Sequence, residues 1–149
     1  MEDRVNLSLD DYSINVTERA HAILDKYSQT HPGVGKSSET APFRTMKDVF
    51  MMSVYLGAKS GRARPLEGKR ISPFKGQVLS HDEQMLLRSL AIGVEKDPDI
   101  IADPQRIVRI AEEYANAGVW QLEELLNSSS EGALWDLTDY FSKELGEDK

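Results

Sequence analysis

Apolar residues recur at helical spacing in five or six stretches of the chain. Val16, Ala20, Ile23, Leu24 and Tyr27 mark one face of a first helix over about 16–27. Asn15 is placed to cap it, with Glu18 three residues on, as a capping box requires. Thr45 opens a second helix and Gly57 is expected to stop it. The interior of that helix, Val49 to Leu56, is almost wholly apolar, which places it at the centre of the core. Ser80 and Glu83 form a capping box for a third helix, whose core face reads as Met85, Leu86, Leu90 and Ile92. Asp103-Pro104, an N-cap followed by proline at the first helical position, starts a fourth. Its face is Ile107, Val108, Ala111, Tyr114 and Ala115. Asn116 to Gly118 are expected to interrupt it before Val119, Trp120, Leu122, Leu125 and Leu126 resume the pattern. Ser128 to Ser130 break the chain again, and a last helix over about 131–145 is expected to bury Leu134, Trp135, Leu137, Tyr140 and Phe141.

The intervening segments carry turn and loop chemistry. Residues 1–14 read as a flexible arm with one short alternating run, Val5, Leu7 and Leu9. Residues 28–42 are rich in Pro, Gly, Ser and Thr and form a linker. Residues 58–79 hold Gly61, Pro65, Gly68, Pro73 and Gly76 among Lys and Arg, a long loop with at most a brief extended piece at Arg70-Ile71. Loops of that length in compact domains are uncommon and often functional. The expected fold is therefore all-α: one compact domain over residues 15–146, with five to six helices and one long basic loop.

Charge changes this picture. The 149-residue chain has a formal net charge of −7, which by itself opposes non-specific nucleic-acid binding. The charge is unevenly spread. Residues 43–75 carry 8 basic and 2 acidic groups, whereas residues 112–149 carry 2 and 10. There is no cysteine, so disulfides, thiolate zinc sites and cysteine nucleophiles are excluded. No membrane span or signal peptide is expected, and the composition suits a cytoplasmic protein.

Most candidate chemistry dissolves on inspection. Gly33-Val34-Gly35-Lys36-Ser37 looks like the end of a phosphate-binding loop, but it follows a helix rather than a strand, and Ala41-Pro42 obstructs a helix after it. It reads as a linker. His21, His31 and His81 show no metal-ligand spacing. The pairs Glu112-Glu113 and Glu123-Glu124 read as a solvated helix face. No serine sits in a nucleophile elbow. No catalytic, metal or cofactor site is expected. The feature that remains is the basic island: Lys59, Arg62, Arg64, Lys69, Arg70 and Lys75, with Phe74 able to stack on a base. Three occupants suit it: nucleic-acid phosphates, an acidic partner protein, or the chain's own acidic C-terminal third.

Two blocks resemble a known family. One is Phe43-Arg44-Thr45-Met46-Lys47-Asp48-Val49-Phe50, followed by Gly57 and by Gly61-Arg62-Ala63-Arg64-Pro65-Leu66; the other is Glu113-Tyr114-Ala115-Asn116-Ala117-Gly118. Together they resemble Dnd system-associated protein 4, small accessory proteins of bacterial DNA-phosphorothioation clusters. The resemblance implies a role beside a DNA modification and restriction system that defends against phage. It implies other proteins of that system as partners, with DNA contact as the alternative, and it carries no catalytic residue. It falls on Phe43, Lys47, Asp48, Gly57, Arg64, Pro65, Leu66, Tyr114, Asn116 and Gly118. The first 42 residues and the last helix lie outside it. Fold maintenance accounts for most of these positions. Asp48 suits the first turn of a helix, Phe43 a hydrophobic staple, and Asn116 with Gly118 a left-handed cap. Arg62 and Arg64 are left over.

Overall fold

The computed structural model describes residues 7–30, 36–127 and 132–146. The order of elements is β1 (Ser13–Thr17), α1 (Glu18–Lys26), α2 (Met46–Ser60), β2 (Arg70–Lys75), α3 (His81–Glu95), α4 (Pro104–Leu126) and α5 (Ala133–Gly146). The chain is mostly helical, but β1 and β2 form a small antiparallel sheet, so the all-α expectation is corrected. β1 occupies the residues read as the start of the first helix. Ile14 and Val16 point inward and are buried while their neighbours are not, the period-two pattern of a strand. Asn15 is therefore a strand residue. The cap of α1 is Thr17, whose Oγ1 accepts from the Ala20 N–H at 3.1 Å.

The sheet contains an irregularity. Ile14 pairs with Phe74 and Val16 with Ile71, so Asn15 faces two residues, Ser72 and Pro73. A bulge suits Pro73, which has no N–H to give to the ladder. The segment around Leu9 packs against Gly76, just after β2. Leu9 is fully buried, and its N–H donates to Gln84 Oε1. Gln84 Nε2 in turn donates to Asp10 and to the Gly76 carbonyl.

The helix starts at Thr45, Ser80 and Asp103 are as expected. Thr45–Asp48 and Ser80–Glu83 are complete capping boxes, and Asp103 Oδ1 accepts from the Arg106 N–H. Lys47 joins two of these termini through its 3.0 Å ion pair with Glu83.

The helix ends differ. α2 runs past Gly57 to Ser60 and ends at Gly61, whose φ of 68° is left-handed. The Arg62 N–H returns to the Gly57 carbonyl at 2.9 Å and closes a Schellman motif. α4 is one unbroken helix across Asn116 to Gly118, so neither residue caps anything. The reason lies in packing. α2 and α4 cross with their backbones in contact at Gly57 and Gly118. A methyl group on Gly118 would run into the Ser53 carbonyl and lie 2.7 Å from the Gly57 nitrogen. One on Gly57 would strike the Tyr114 carbonyl. Around this crossing, Val49, Phe50, Ile107 and Leu122 are fully buried.

Two faces are reassigned. α3 buries Gln84, Leu87 and Ala91, with Leu90 and Ile92 half-buried, and exposes Met85 and Leu86. α5 buries Ala133 and Asp136 and half-buries Leu137 and Tyr140, but Trp135 and Phe141 are exposed. The expected break at Ser128 to Ser130 lies outside the described residues. No described helix is long and apolar enough to cross a membrane.

The crossing predicts opposite signs for two glycine substitutions. Gly118→Ala should destabilise the fold by about 1–3 kcal/mol or more, because backbone atoms must separate. Gly93, inside α3, has open space around it, and Gly93→Ala should stabilise by ~0.5–1 kcal/mol. Urea midpoints of the two variants check both.

Candidate functional site

The basic loop leaves α2 at Gly61 and is tied at once to α4. The Arg64 N–H donates to the Glu113 carbonyl at 2.9 Å. Asn116 Nδ2 donates to both the Arg64 and the Pro65 carbonyls, each at 3.1 Å. Asn116 is thus a clamp on the loop, and it holds the backbone while the side chains stay outside. The six expected basic residues do not form one patch. Arg62 is exposed just beyond α2. Arg64 and Lys69 line a cleft of about 500 Å³ between the loop, the start of α1 and α4. Arg70 begins β2 beside a smaller hollow of about 240 Å³, which Arg109 and Glu112 also line. Lys75 ends β2, opposite Ser13, about 16 Å along the strand from Arg70.

Lys59 is not on the loop. It lies in the last turn of α2 and bonds the Glu144 carboxylate of α5. It also donates to the Tyr140 hydroxyl. The bond to Glu144 raises its pKa above the usual lysine range. Phe74 is corrected as well. It is half-buried, meets Phe50 edge-on at 5.5 Å between centroids and packs against the core, so it is a packing residue and not a free platform for a base.

The cleft brings in residues that spacing did not reveal. Arg19, from the first turn of α1, lies over the Trp120 ring of α4 at 5.0 Å and joins Arg64 and Lys69 on the cleft wall. Nothing in the local sequence links positions 19, 64 and 120. Glu112 was read as solvated, yet it is buried. Its Oε2 accepts the N–H of Asn15 at 2.6 Å, and Asn15 is the β1 residue opposite the bulge. Burial raises the Glu112 pKa, against the pull of the Asn15 bond, Arg70 and Arg109.

Other candidates resolve locally. Lys36 donates to the Asp25 carbonyl at 2.7 Å and pairs with its carboxylate at 3.6 Å. Gly33 to Gly35 and His31 lie outside the described residues. His21 is half-buried on α1 and His81 is exposed at the start of α3. Among the described residues no three His, Asp or Glu side chains converge as a metal site would need.

These features define a class: a small, mostly helical protein that displays a clamped basic loop, its shared polar positions acting largely as caps and clamps. Residues 34–147 match the family described as DNA sulphur modification system-associated protein 4, and the chain belongs to that family. The match extends beyond the two blocks and runs through α5. Neither a curated protein nor a solved structure gives a match.

Glu112 gives a pH test with a definite sign. Its pKa is higher folded than unfolded, so its contribution to stability is complete below the ordinary value of 4.5. That contribution is lost as pH rises through the folded value. Glu112→Gln keeps an acceptor for Asn15 without the buried charge. It should be more stable than the parent at neutral pH and should lack this part of the decline. Glu112→Ala leaves a buried N–H unpaired and should lose about 1–3 kcal/mol. Urea denaturation from pH 4 to 8 reads both.

Proposed function

We propose that this chain is a non-enzymatic accessory protein of a DNA phosphorothioation-dependent modification and restriction system. In this reading it serves anti-phage defence in the cytoplasm and binds other proteins of the system through its basic loop. One observation carries the reading. Arg62, Arg64, Lys69 and Lys75 are exposed, and among the described residues none of them forms an ion pair. Among the described residues the acidic C-terminal third pairs with Lys59 through Glu144 and with none of these four, which supports an occupant from outside the chain. Charges held outward on a fixed backbone suit an acidic partner surface. Apolar side chains are exposed elsewhere on the molecule. Met85 is 47% exposed, Leu86 62% and Trp135 53%. In this reading the second interaction surface is the acidic C-terminal third, to which the exposed Glu124 of α4 contributes. Membership of the family supplies the system in which the partners are sought.

The test is co-purification with the other proteins of the modification system. Replacing Arg62, Arg64, Lys69 and Lys75 by alanine should weaken capture by about tenfold or more. Unchanged capture removes the loop from the interface.

A second reading, phosphate contacts with DNA, is favoured by the same four cations. The net charge and the inward Phe74 oppose it. Under this reading, log affinity against log salt has a slope of about −3 to −4 for four phosphate contacts. A flat plot from anisotropy titration excludes it.

A further inference from the structure

We infer that the cleft between α1, the loop and α4 is a binding site for a nucleoside monophosphate. Three observations lead there. First, Arg19, Arg64 and Lys69 meet on one cleft although they come from opposite ends of the N-terminal half. Among the described residues none of the three forms an ion pair. Three neighbouring cations that no carboxylate pairs with directly repel one another, and an anion relieves that repulsion. Second, the Arg19 side chain and the Arg64 backbone each have a fixed partner on α4. Arg19 is stacked on Trp120, and the backbone of Arg64 is fixed through both its N–H and its carbonyl. Arginine forks at such a cleft suit a phosphate, which accepts two parallel bonds. Arg19 and Trp120 both line the cleft, and guanidinium and indole groups are the kinds on which a planar base stacks.

Third, the same walls carry Glu18 and Glu67. Three cations against two carboxylates leave one net positive charge. That balance disfavours a polyphosphate or a long nucleic-acid backbone. It suits one phosphate joined to a group that donates hydrogen bonds, such as the hydroxyls of a sugar or the amino group of a base. At about 500 Å³ the cleft lies within the ordinary size range of small-molecule sites.

The site shares Arg64 and Lys69 with the proposed partner surface. Its test uses purified protein without partners, so either reading can fail alone. Titration calorimetry of the full chain with adenosine 5′-monophosphate should give saturable binding. Adenosine and inorganic phosphate should each bind at least about tenfold more weakly, since each keeps only part of the contacts. The double variant Arg64→Ala, Lys69→Ala should lose about tenfold or more in affinity. Its urea midpoint should stay unchanged, because both side chains are exposed. Lys75→Ala, at the far end of β2, should bind as the parent does. Arg19→Ala is a second probe from a different element and should weaken binding similarly. The inference is overturned by any of three results: no binding of the monophosphate, equal affinity for inorganic phosphate, or full affinity in both the double variant and Arg19→Ala.

Discussion

The close crossing of α2 and α4 is the constraint on which the other features depend. Two helices ordinarily pack with their axes 8–10 Å apart, separated by side chains. At Gly57 and Gly118 there are none, and each glycine lies against the other helix's backbone. This explains why α2 ends where it does. Four residues after the contact, Gly61 turns the chain, and the loop emerges directly against α4. Glu113 and Asn116, five and two residues before Gly118, are then within reach of Arg64 and Pro65. The helix contact and the loop clamp form one arrangement. They account together for Gly57, Arg64, Pro65, Asn116 and Gly118 in the shared blocks.

The same helix organises the sheet. α4 presents Glu112 to the β1 residue that the bulge leaves without a ladder partner. A buried carboxylate is an expensive acceptor, and here nearby Arg70 and Arg109 offset part of that expense. The other charges divide by location. Lys47, Lys59 and Arg106 pair with Glu83, Glu144 and Glu95, and so join α2 to α3, α2 to α5, and α4 to α3. The loop cations face solvent or the cleft. Among the described residues Arg62, Arg64 and Lys69 form no ion pair although Glu18 and Glu67 lie near the cleft, and the loop backbone is fixed against α4.

Much of the helical framework was legible in local chemistry. Thr45, Ser80 and Asp103 start helices because a side-chain oxygen satisfies an N–H two or three residues on, and that requirement is met within four residues of chain. The family resemblance was legible for a similar reason, since its blocks are short and continuous. β1 was missed because five residues of alternation are indistinguishable from a helix start until the partner, more than fifty residues later, is known. Gly57 and Gly118 were misread as stops because glycine ends a helix or admits a neighbour with the same side chain. The core face of α3 was misplaced for a related reason. Met85, Leu86, Leu87 and Leu90 allow two overlapping apolar stripes, and packing selects the one through Leu87 and Ala91.

The basic island shows where the division falls. Composition alone revealed that residues 43–75 carry an excess of positive charge, since charge is a property of residues and needs no contacts. Which cations are neutralised, which are displayed and which converge was settled by folding. Lys59 found Glu144 eighty-five residues away. Arg64 and Lys69 found Arg19, which is held by Trp120. These are relations between distant segments, and they exist only once α4 has brought those segments to its surface. Local sequence carries the start of a helix because capping is short-range. It does not carry a cleft, because the walls of a cleft are joined by packing and not by the chain.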